Sequence, residues 1–389
     1  MRHIFTRASL LLLFYILFHT ISAQDIVVGH KFHFFSQILD EDRELWVSLP
    51  QSYHDSLYAP AFYPVMYLLD PEFHFHSMVA VREALTKGLY NYMPEMIIVG
   101  IVNTDRSRDL TPTNSSVIHS GKKIHETSGG ADAFLMFIEK ELIPFINATY
   151  RTNEYRILNG HSFGGLFTLY ALQHRPTCFN SYIVHDPSIW WDDKTLYKSA
   201  QQLKDTINLA GRCLYLSMAY NQTKEKDRFQ HSQSILTYKN NILEAFAGND
   251  LRYRFDYLSK EDHGTIFLPA TYDALRYIYD GICLPIKEIP TRPDLLMEHY
   301  LQVSDSIRFQ IKPPEKLVKE TADYCLLRGE FQSAEKLLLL NVKNYPTSSY
   351  AYWTLGHLYL KMNKNELAKD QFQKAESLNP AMKTPVLLK

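Results

Sequence analysis

The sequence has few cysteines and almost no excess charge. Its four cysteines, Cys178, Cys213, Cys283 and Cys325, are widely spaced among 389 residues and form no CxxC pair. This spacing excludes a disulfide-dense scaffold and a cysteine metal cluster, and we expect the cysteines to pack in the core. The formal net charge of −1 offers no basic field to a nucleic acid. We therefore expect no metal ion, no cofactor and no nucleic-acid partner.

The sequence also lacks an apolar run long enough to cross a bilayer. Residues 10–18 are apolar, but a transmembrane helix needs about 20 such residues. Arg2 and Arg7 precede this run, and the small-residue sequence Ile21-Ser22-Ala23 follows it. A positive start, a short apolar core and small residues are typical of a secretory signal peptide. The pattern predicts cleavage near Ala23 and a protein that is exported to the periplasm or secreted.

Composition and length indicate a folded protein of two domains. Hydrophobic residues make up 46% of the chain and charged residues 21%, as in globular proteins. From about residue 30 to 285, short apolar runs alternate with amphipathic ones. The predicted strands are 32–39, 44–49, 65–69, 96–102, 155–158, 182–185, 213–218 and 252–258, with helices at 131–145 and 163–174. This alternation predicts an α/β fold, whose mostly parallel sheet has helices on both faces and functional loops at the carboxyl ends of its strands.

The remaining third of the chain changes character. Scattered prolines in residues 286–312 predict a linker between two domains that fold independently. In residues 313–389, Ala334 and Ala368 recur 34 residues apart, the period of a tetratricopeptide repeat. The run from Trp353 to Tyr359 is similar to the signature of that repeat, with one residue fewer between tryptophan and leucine. We expect a small all-α helical-repeat domain that is stabilised by packing against the first domain or against a protein partner.

One pentapeptide carries a candidate nucleophile. Gly160-His161-Ser162-Phe163-Gly164 follows a predicted strand and leads directly into a predicted helix. A serine on such a turn projects its hydroxyl from the sheet. The alternative is packing alone, because glycines let a strand and a helix approach closely. A serine needs a base to take its proton. Among sixteen histidines, His263 lies after the last predicted strand, where an α/β-hydrolase carries this base.

Five motifs in this order carry a resemblance to a known family. They are the run 160–166, the strand end Leu68-Leu69-Asp70, the run 103–112, the run 187–191 with Trp190 and Trp191, and Glu261-Asp262-His263-Gly264. Together they resemble the esterase family of the α/β-hydrolase superfamily, which includes ferric siderophore esterases, feruloyl and acetyl-xylan esterases, formylglutathione hydrolases and mycolyltransferases. The resemblance covers about residues 28–285, is strongest to the siderophore esterases, and implies an α/β-hydrolase domain at 24–285.

The resemblance implies a role for several residues. Ser162 would be the nucleophile and His263 the general base. The oxyanion hole would be formed by the backbone N–H groups of Phe163 and Glu72. The family usually has a glycine where this sequence has Pro71, and proline has no N–H, so the second donor has to come from Glu72 or beyond.

The acid of the triad is open at this point. The family often shows a carboxylate after the strand 213–218, but residues 219–221 contain none. Glu225 is the first candidate and Asp227 the second, although both fit ordinary charges near the start of a helix. Asp186, after the preceding strand, is a third, and a Ser-His dyad without an acid is a fourth possibility.

Three residues are candidates for binding substrate. Arg106 and Arg108 lie in a loop that in siderophore esterases helps to hold an anionic, aromatic substrate. Alternatively, they pair with Asp105 or Asp109 and brace the loop. Trp190 either lines the cleft or packs beneath it. The sequence thus predicts an exported serine esterase that hydrolyses carboxylic esters of organic or siderophore-like substrates through an acyl-enzyme. The alternative is a non-catalytic adaptor that binds partners through the C-terminal repeat.

Overall fold

The structure, a computed structural model, describes residues 25–115, 118–119, 122–123, 125–221, 230–248 and 250–388. The predicted signal peptide therefore lies outside the described residues, as do Glu225 and Asp227. The strands are β1 (His30–Ser36), β2 (Glu41–Ser48), β3 (Tyr63–Leu69), β4 (Ile97–Ile101), β5 (Ile118–His119), β6 (Lys122–Lys123), β7 (Thr152–His161), β8 (Ser181–His185), β9 (Cys213–Ala219) and β10 (Arg252–Leu258).

Helices precede or follow most of the parallel strands. They are α1 (Pro71–Leu85), α2 (Arg106–Leu110), α3 (Ala131–Phe137), α4 (Ile143–Thr149), α5 (Phe163–His174), α6 (Trp191–Leu203), α7 (His231–Tyr238), α8 (Glu244–Ala247), α9 (Phe267–Ile278), α10 (Leu295–Ile307), α11 (Glu315–Leu327), α12 (Phe331–Asn344), α13 (Ser349–Lys361) and α14 (Asn365–Leu378). Single π-helical turns join α3 to α4 and α7 to α8. Within the described residues, no helix is both long and apolar enough to traverse a bilayer.

Eight strands form one sheet in the order β1-β2-β4-β3-β7-β8-β9-β10. β1 and β2 pair antiparallel, β2 and β4 pair antiparallel, and every later pair is parallel. The central strands β3, β4, β8 and β9 are buried along their whole length because helices cover both faces. Their continuous apolar character explains why the sequence pattern located them. The predicted α/β class with a mostly parallel sheet is confirmed.

The C-terminal region consists of two helical hairpins. α11 and α12 form the first, and α13 and α14 the second. Corresponding helices of the two hairpins begin 34 residues apart, at Glu315 and Ser349. Ala334 and Ala368 are both fully buried, as expected for small residues at positions where helices pack closely. A helical C-terminal region is therefore confirmed.

The segment predicted as a linker is packed rather than extended. Residues 286–312 contain α10, with Leu296, Tyr300 and Val303 buried on one face. The prolines that pointed to a connector flank this helix, where they do not interrupt its hydrogen bonds. One continuous buried cluster extends from the sheet through α10 to the C-terminal hairpins. This continuity argues against independent folding of the two parts, while the position of the domain boundary stays a prediction.

Polar contacts also join the two parts. The carboxylate of Glu315 is 3% exposed and accepts hydrogen bonds from the amide N–H of Ala59 at 2.8 Å and from Ser348 Oγ at 2.5 Å. Burial raises the pKa of Glu315 in spite of these donors. Tyr155 of β7 packs against Phe309 with ring centroids 5.4 Å apart.

The four cysteines are free thiols, and all except Cys283 are buried.

Candidate active site

Ser162 lies on a strained turn between β7 and α5. Its backbone has φ 59° and ψ −115°, a conformation that costs a non-glycine residue about 1–3 kcal/mol. A β-carbon added at Gly160 would lie 2.2 Å from the carbonyl oxygen of Gly164, and one added at Gly164 would lie 3.2 Å from Asp70 Oδ2. The glycines thus permit the close approach of strand and helix, and that approach projects the serine beyond the sheet edge.

A chain of hydrogen bonds connects Ser162 to a buried carboxylate. His263 Nε2 lies 3.1 Å from Ser162 Oγ, and His263 Nδ1 lies 2.6 Å from Asp186 Oδ2. His263 comes from the loop between β10 and α9, and Asp186 directly follows β8. Since an ionised carboxylate only accepts, Nδ1 carries the proton and leaves Nε2 ready to accept one from the serine. This is the geometry of a nucleophile, a base and an orienting acid.

Asp186 is held by donors on every side. Its Oδ1 accepts from the amide N–H of Ala219 at 3.0 Å and from Asn221 Nδ2 at 3.1 Å. Its Oδ2 accepts from His231 Nε2 at 2.9 Å as well as from His263. Burial acts to raise the pKa of Asp186, but the hydrogen bonds from His231, His263 and the Ala219 amide and the electrostatic attraction to His231 together hold its pKa well below the usual value. Asp186 is therefore ionised at neutral pH.

Asp186 was only the third candidate for the acid in the sequence analysis, and His231 was not among the predicted site residues. Glu225 and Asp227, ranked above Asp186, lie outside the described residues, whereas the carboxylate that contacts His263 belongs to Asp186. Asn221 stands where the family often has an acid, and it donates to Asp186 from the neighbouring strand end. The available signal was the position of Asp186 directly after β8, the strand beside the one that carries Ser162.

Two helix N-termini meet beside Ser162. Phe163 is the first residue of α5, and Glu72 is the second residue of α1, after Pro71. Amides in the first turn of a helix have no carbonyl partner within the helix, and Pro71 at the first position is well tolerated. The carboxylate of Glu72 accepts a hydrogen bond from the amide N–H of Asn103 at 2.9 Å, which connects α1 to the loop after β4. The backbone amides of Phe163 and Glu72 remain the predicted oxyanion donors.

The two arginines have different surroundings. Arg106 Nε and Nη2 donate to the two oxygens of buried Asp70 at 2.6 and 2.9 Å, and its guanidinium lies 5.2 Å from the ring centre of Phe163. Its partner is thus neither Asp105 nor Asp109. Arg108 donates to Asp109 at 2.7 Å and to Glu41 at 2.9 and 2.5 Å. These contacts give Arg108 a bracing role between α2 and β2, and leave Arg106 beside the start of α5.

Aromatic rings line the site on two sides. Trp190 is partly buried, with its ring centre 6.2 Å from that of Phe163. On the other side, the ring of His161 lies 4.5 Å from that of His263, and His74 follows 5.6 Å beyond His161. Burial lowers the pKa of His161 to about 3 and that of His74 to about 4. The His161 ring that packs against His263 is therefore uncharged at neutral pH.

Comparison with known proteins agrees with the fold and shows the family of the chain. The family described as "Putative esterase" matches residues 36–245. The ferri-bacillibactin esterase BesA of Bacillus subtilis (strain 168) is 30% identical over 233 residues, which are 56% of this chain and 79% of BesA. The chain belongs to this esterase family.

Two solved structures extend the comparison. An IroE-like serine hydrolase from Shewanella oneidensis is 29% identical, with a TM-score of 0.72, and the match covers 80% of this chain and 98% of that protein. An uncharacterised protein from Capnocytophaga ochracea is 18% identical, with a TM-score of 0.56 over 91% of this chain and 98% of its own. The second match supports the fold alone, and it extends into the C-terminal helical region.

Proposed function

We propose that this protein is an exported serine esterase that hydrolyses the ester bonds of siderophore-like substrates through an acyl-enzyme. The observation that carries the proposal is the Ser162–His263–Asp186 chain, with contacts of 3.1 and 2.6 Å. The names of the related proteins, a ferri-bacillibactin esterase among them, support the substrate class. The signal-peptide pattern before Gln24 supports export, and cleavage near Ala23 can be checked by N-terminal sequencing of exported protein.

In the proposed mechanism, His263 Nε2 takes the proton of Ser162 as its oxygen attacks the ester carbonyl. Asp186 keeps the imidazole in the required tautomer and stabilises the imidazolium. The amides of Phe163 and Glu72 donate to the oxyanion, and loss of one such donor typically costs about 3–4 kcal/mol of transition-state stabilisation. His263 then protonates the leaving alcohol. In the second half, it activates the water that releases the acid and regenerates Ser162.

Two further residues are assigned to substrate binding in this proposal. Arg106 keeps a partly exposed guanidinium beside Phe163 while Asp70 fixes its orientation. An arginine anchored in this way contacts an anionic or aromatic substrate group without first having to be ordered. Trp190, whose ring also lies near Phe163, supplies an apolar surface for the same substrate group. For Arg108, its pairing with Glu41 and Asp109 favours a bracing role over substrate contact.

The C-terminal hairpins are proposed to be a tetratricopeptide-type repeat. The 34-residue spacing of their helices and the buried alanines at equivalent positions support this assignment. A protein partner for this region stays a prediction. Binding of such a partner without any ester hydrolysis would favour the non-catalytic adaptor instead.

A substrate panel tests the esterase proposal. Purified protein is incubated with a ferric tri-catecholate lactone, feruloyl and acetyl sugars, and nitrophenyl esters, and the released acids are measured by chromatography. We expect hydrolysis of the lactone, with kcat about 10⁶-fold lower in Ser162→Ala. Ser188→Ala is the matched control, because its Oγ lies 3.3 Å from that of Ser162 and, among the described residues, no base contacts it. An active-site phosphonate should label Ser162 and not Ser188; labelling elsewhere contradicts the assignment.

A further inference from the structure

Three side chains that bind metals in other proteins converge beneath the proposed base. Asp186 Oδ2 lies 2.6 Å from His263 Nδ1 and 2.9 Å from His231 Nε2. All three atoms lie within 4.8 Å of one another. They come from three separate segments of the chain, which is why no ligand spacing is visible in the sequence. A triad requires only one histidine on its acid, so His231 is not explained by the mechanism above.

We propose that Asp186, His231 and His263 form a binding site for one divalent transition-metal ion of the zinc type, and that an ion bound there inhibits the esterase. The binding part stands on geometry alone, whereas the inhibition part rests on the proposed serine mechanism. Two imidazole nitrogens and one carboxylate oxygen suit zinc-type ions, whereas magnesium and calcium prefer oxygen ligands.

The geometry needs only small adjustments to accept an ion. Zinc–nitrogen and zinc–oxygen bonds of about 2.0–2.2 Å in a tetrahedral site place ligand atoms roughly 3.3 Å apart. The contact of Asp186 Oδ2 with His263 would therefore lengthen by about 0.7 Å and that with His231 by about 0.4 Å. The two imidazole nitrogens, which lie within 4.8 Å of each other, would take about the same 3.3 Å spacing after rotation of the rings. Ala219 and Asn221 hold the other oxygen of Asp186 from behind, as outer partners do in metal sites. His263 is 44% exposed, so an ion and a water ligand can enter from solvent.

A bound ion would change the tautomer of His263. A neutral imidazole carries one proton, and a metal on Nδ1 leaves that proton on Nε2. Nε2 would then face Ser162 Oγ as a donor and could not accept the serine proton. His231 would likewise carry its proton on Nδ1 when Nε2 binds the ion. The ion would stop the chemical step without occupying the substrate cleft.

The test combines direct binding with inhibition. The full chain is treated with EDTA and desalted, then titrated with Zn²⁺ by calorimetry and with Co²⁺ by visible absorption. Hydrolysis of nitrophenyl acetate, which does not chelate metal, is followed in parallel. We expect one Zn²⁺ per chain, a fall in kcat with little change in KM, and recovery on addition of EDTA. Ser162→Ala should bind Zn²⁺ like the wild type, because it retains all three ligands.

His231→Gln separates this site from adventitious binding. The glutamine amide can still donate to Asp186 but does not bind zinc, so we expect Zn²⁺ affinity to fall at least about tenfold, with an equal rise in the inhibitory concentration. His263→Gln should weaken binding in the same way. His33→Gln, at an exposed position on β1, is the matched control and should bind like the wild type. Wild-type chain that binds no Zn²⁺, or equal binding by His231→Gln and wild type, overturns the proposal. Zn²⁺ binding in a chain that hydrolyses no ester would instead refute the proposed function alone.

Discussion

Replacement of Asp186 by asparagine tests the assignment of the acid. The groups around its carboxylate are all donors: the amide of Ala219, Asn221 Nδ2, and the two histidines. An asparagine presents one NH₂ group where the aspartate presents an oxygen. At Oδ1 this group would face the backbone N–H of Ala219, which cannot become an acceptor, so it has to point toward the histidines, which can change tautomer.

The expected loss follows from that tautomer change. When His263 accepts at Nδ1, its proton moves to Nε2, and the base can no longer take the proton of Ser162. In a triad, this wrong tautomer lowers kcat by about 10⁴, equivalent to about 5.5 kcal/mol at 25 °C. The substrate cleft is unchanged, so KM should change little. The thermal midpoint should also fall, because the donors that hold the pKa of Asp186 below its usual value favour the charged side chain in the folded protein.

The assay is nitrophenyl ester hydrolysis under steady-state conditions, with a thermal melt for each variant. Glu225→Gln and Asp227→Asn are the matched controls, each removing one charge from a candidate acid, and we expect kcat to stay within about threefold of wild type. If Asp186→Asn keeps kcat within tenfold of wild type while Glu225→Gln loses several orders of magnitude, the contact between Asp186 and His263 is not the one used in catalysis.

Three further predictions concern the stability of the fold. Burial holds the pKa of His74 at about 4, below its unfolded value, so protonation in acid favours the unfolded chain. Because of this residue, the free energy of unfolding measured by urea melts should be about 2 kcal/mol lower at pH 5 than at pH 7. The variant His74→Phe retains the stack on Phe267, and between pH 7 and pH 5 its free energy of unfolding should fall by about 2 kcal/mol less than that of the wild type. An equal fall in both proteins would contradict this account. Gly160→Ala should lower the thermal midpoint and the activity, because its methyl group would overlap the Gly164 carbonyl; a normal melt would contradict the need for this glycine. Deletion of residues 313–389 should give an aggregated or partly unfolded protein by circular dichroism, because the buried cluster is shared, whereas a soluble and active truncation would show that the first part folds alone.

The sheet was predictable because its strands are short apolar runs that are buried on both faces. The contact between Ser162 and His263, the proposed nucleophile and base, was predictable because a strand–turn–helix motif and chain order locate the two residues. The proposed acid was harder to predict, because Asp186 is one of many acidic residues in the sequence. Only its position at a strand end next to that of Ser162, and the nearby Asn221, distinguish it. His231 follows a part of the chain without strong periodicity, so its approach to Asp186 depends on tertiary structure.

The segment 286–312 shows a different limit of prediction from the local sequence pattern. Prolines dominate its local pattern and indicate a connector, whereas α10 forms because its apolar side chains find a surface of the sheet layer to cover. Tertiary burial outweighs the local signal here. Arg108 pairs with Asp109, as one alternative predicted, but its second partner Glu41 and the Arg106 partner Asp70 were not foreseen, for a similar reason. Asp70 and Glu41 are distant in sequence, and the fold brings them closer than the neighbouring Asp105.

The shared core has a consequence for how the protein is made. The hairpins that complete the core leave the ribosome after the esterase part, and the roughly 100 residues from position 286 onward take several seconds to synthesise at about 5–20 residues per second. During this time, the apolar side chains that later pack against α10 and the hairpins are exposed to water. The amide of Ala59 also lacks its acceptor, because Glu315 lies 256 positions further along the chain. A nascent chain in this state is prone to aggregation and is a natural client for chaperones. Ester hydrolysis should therefore begin only after the last helices have docked, although no residue of the proposed triad lies in them.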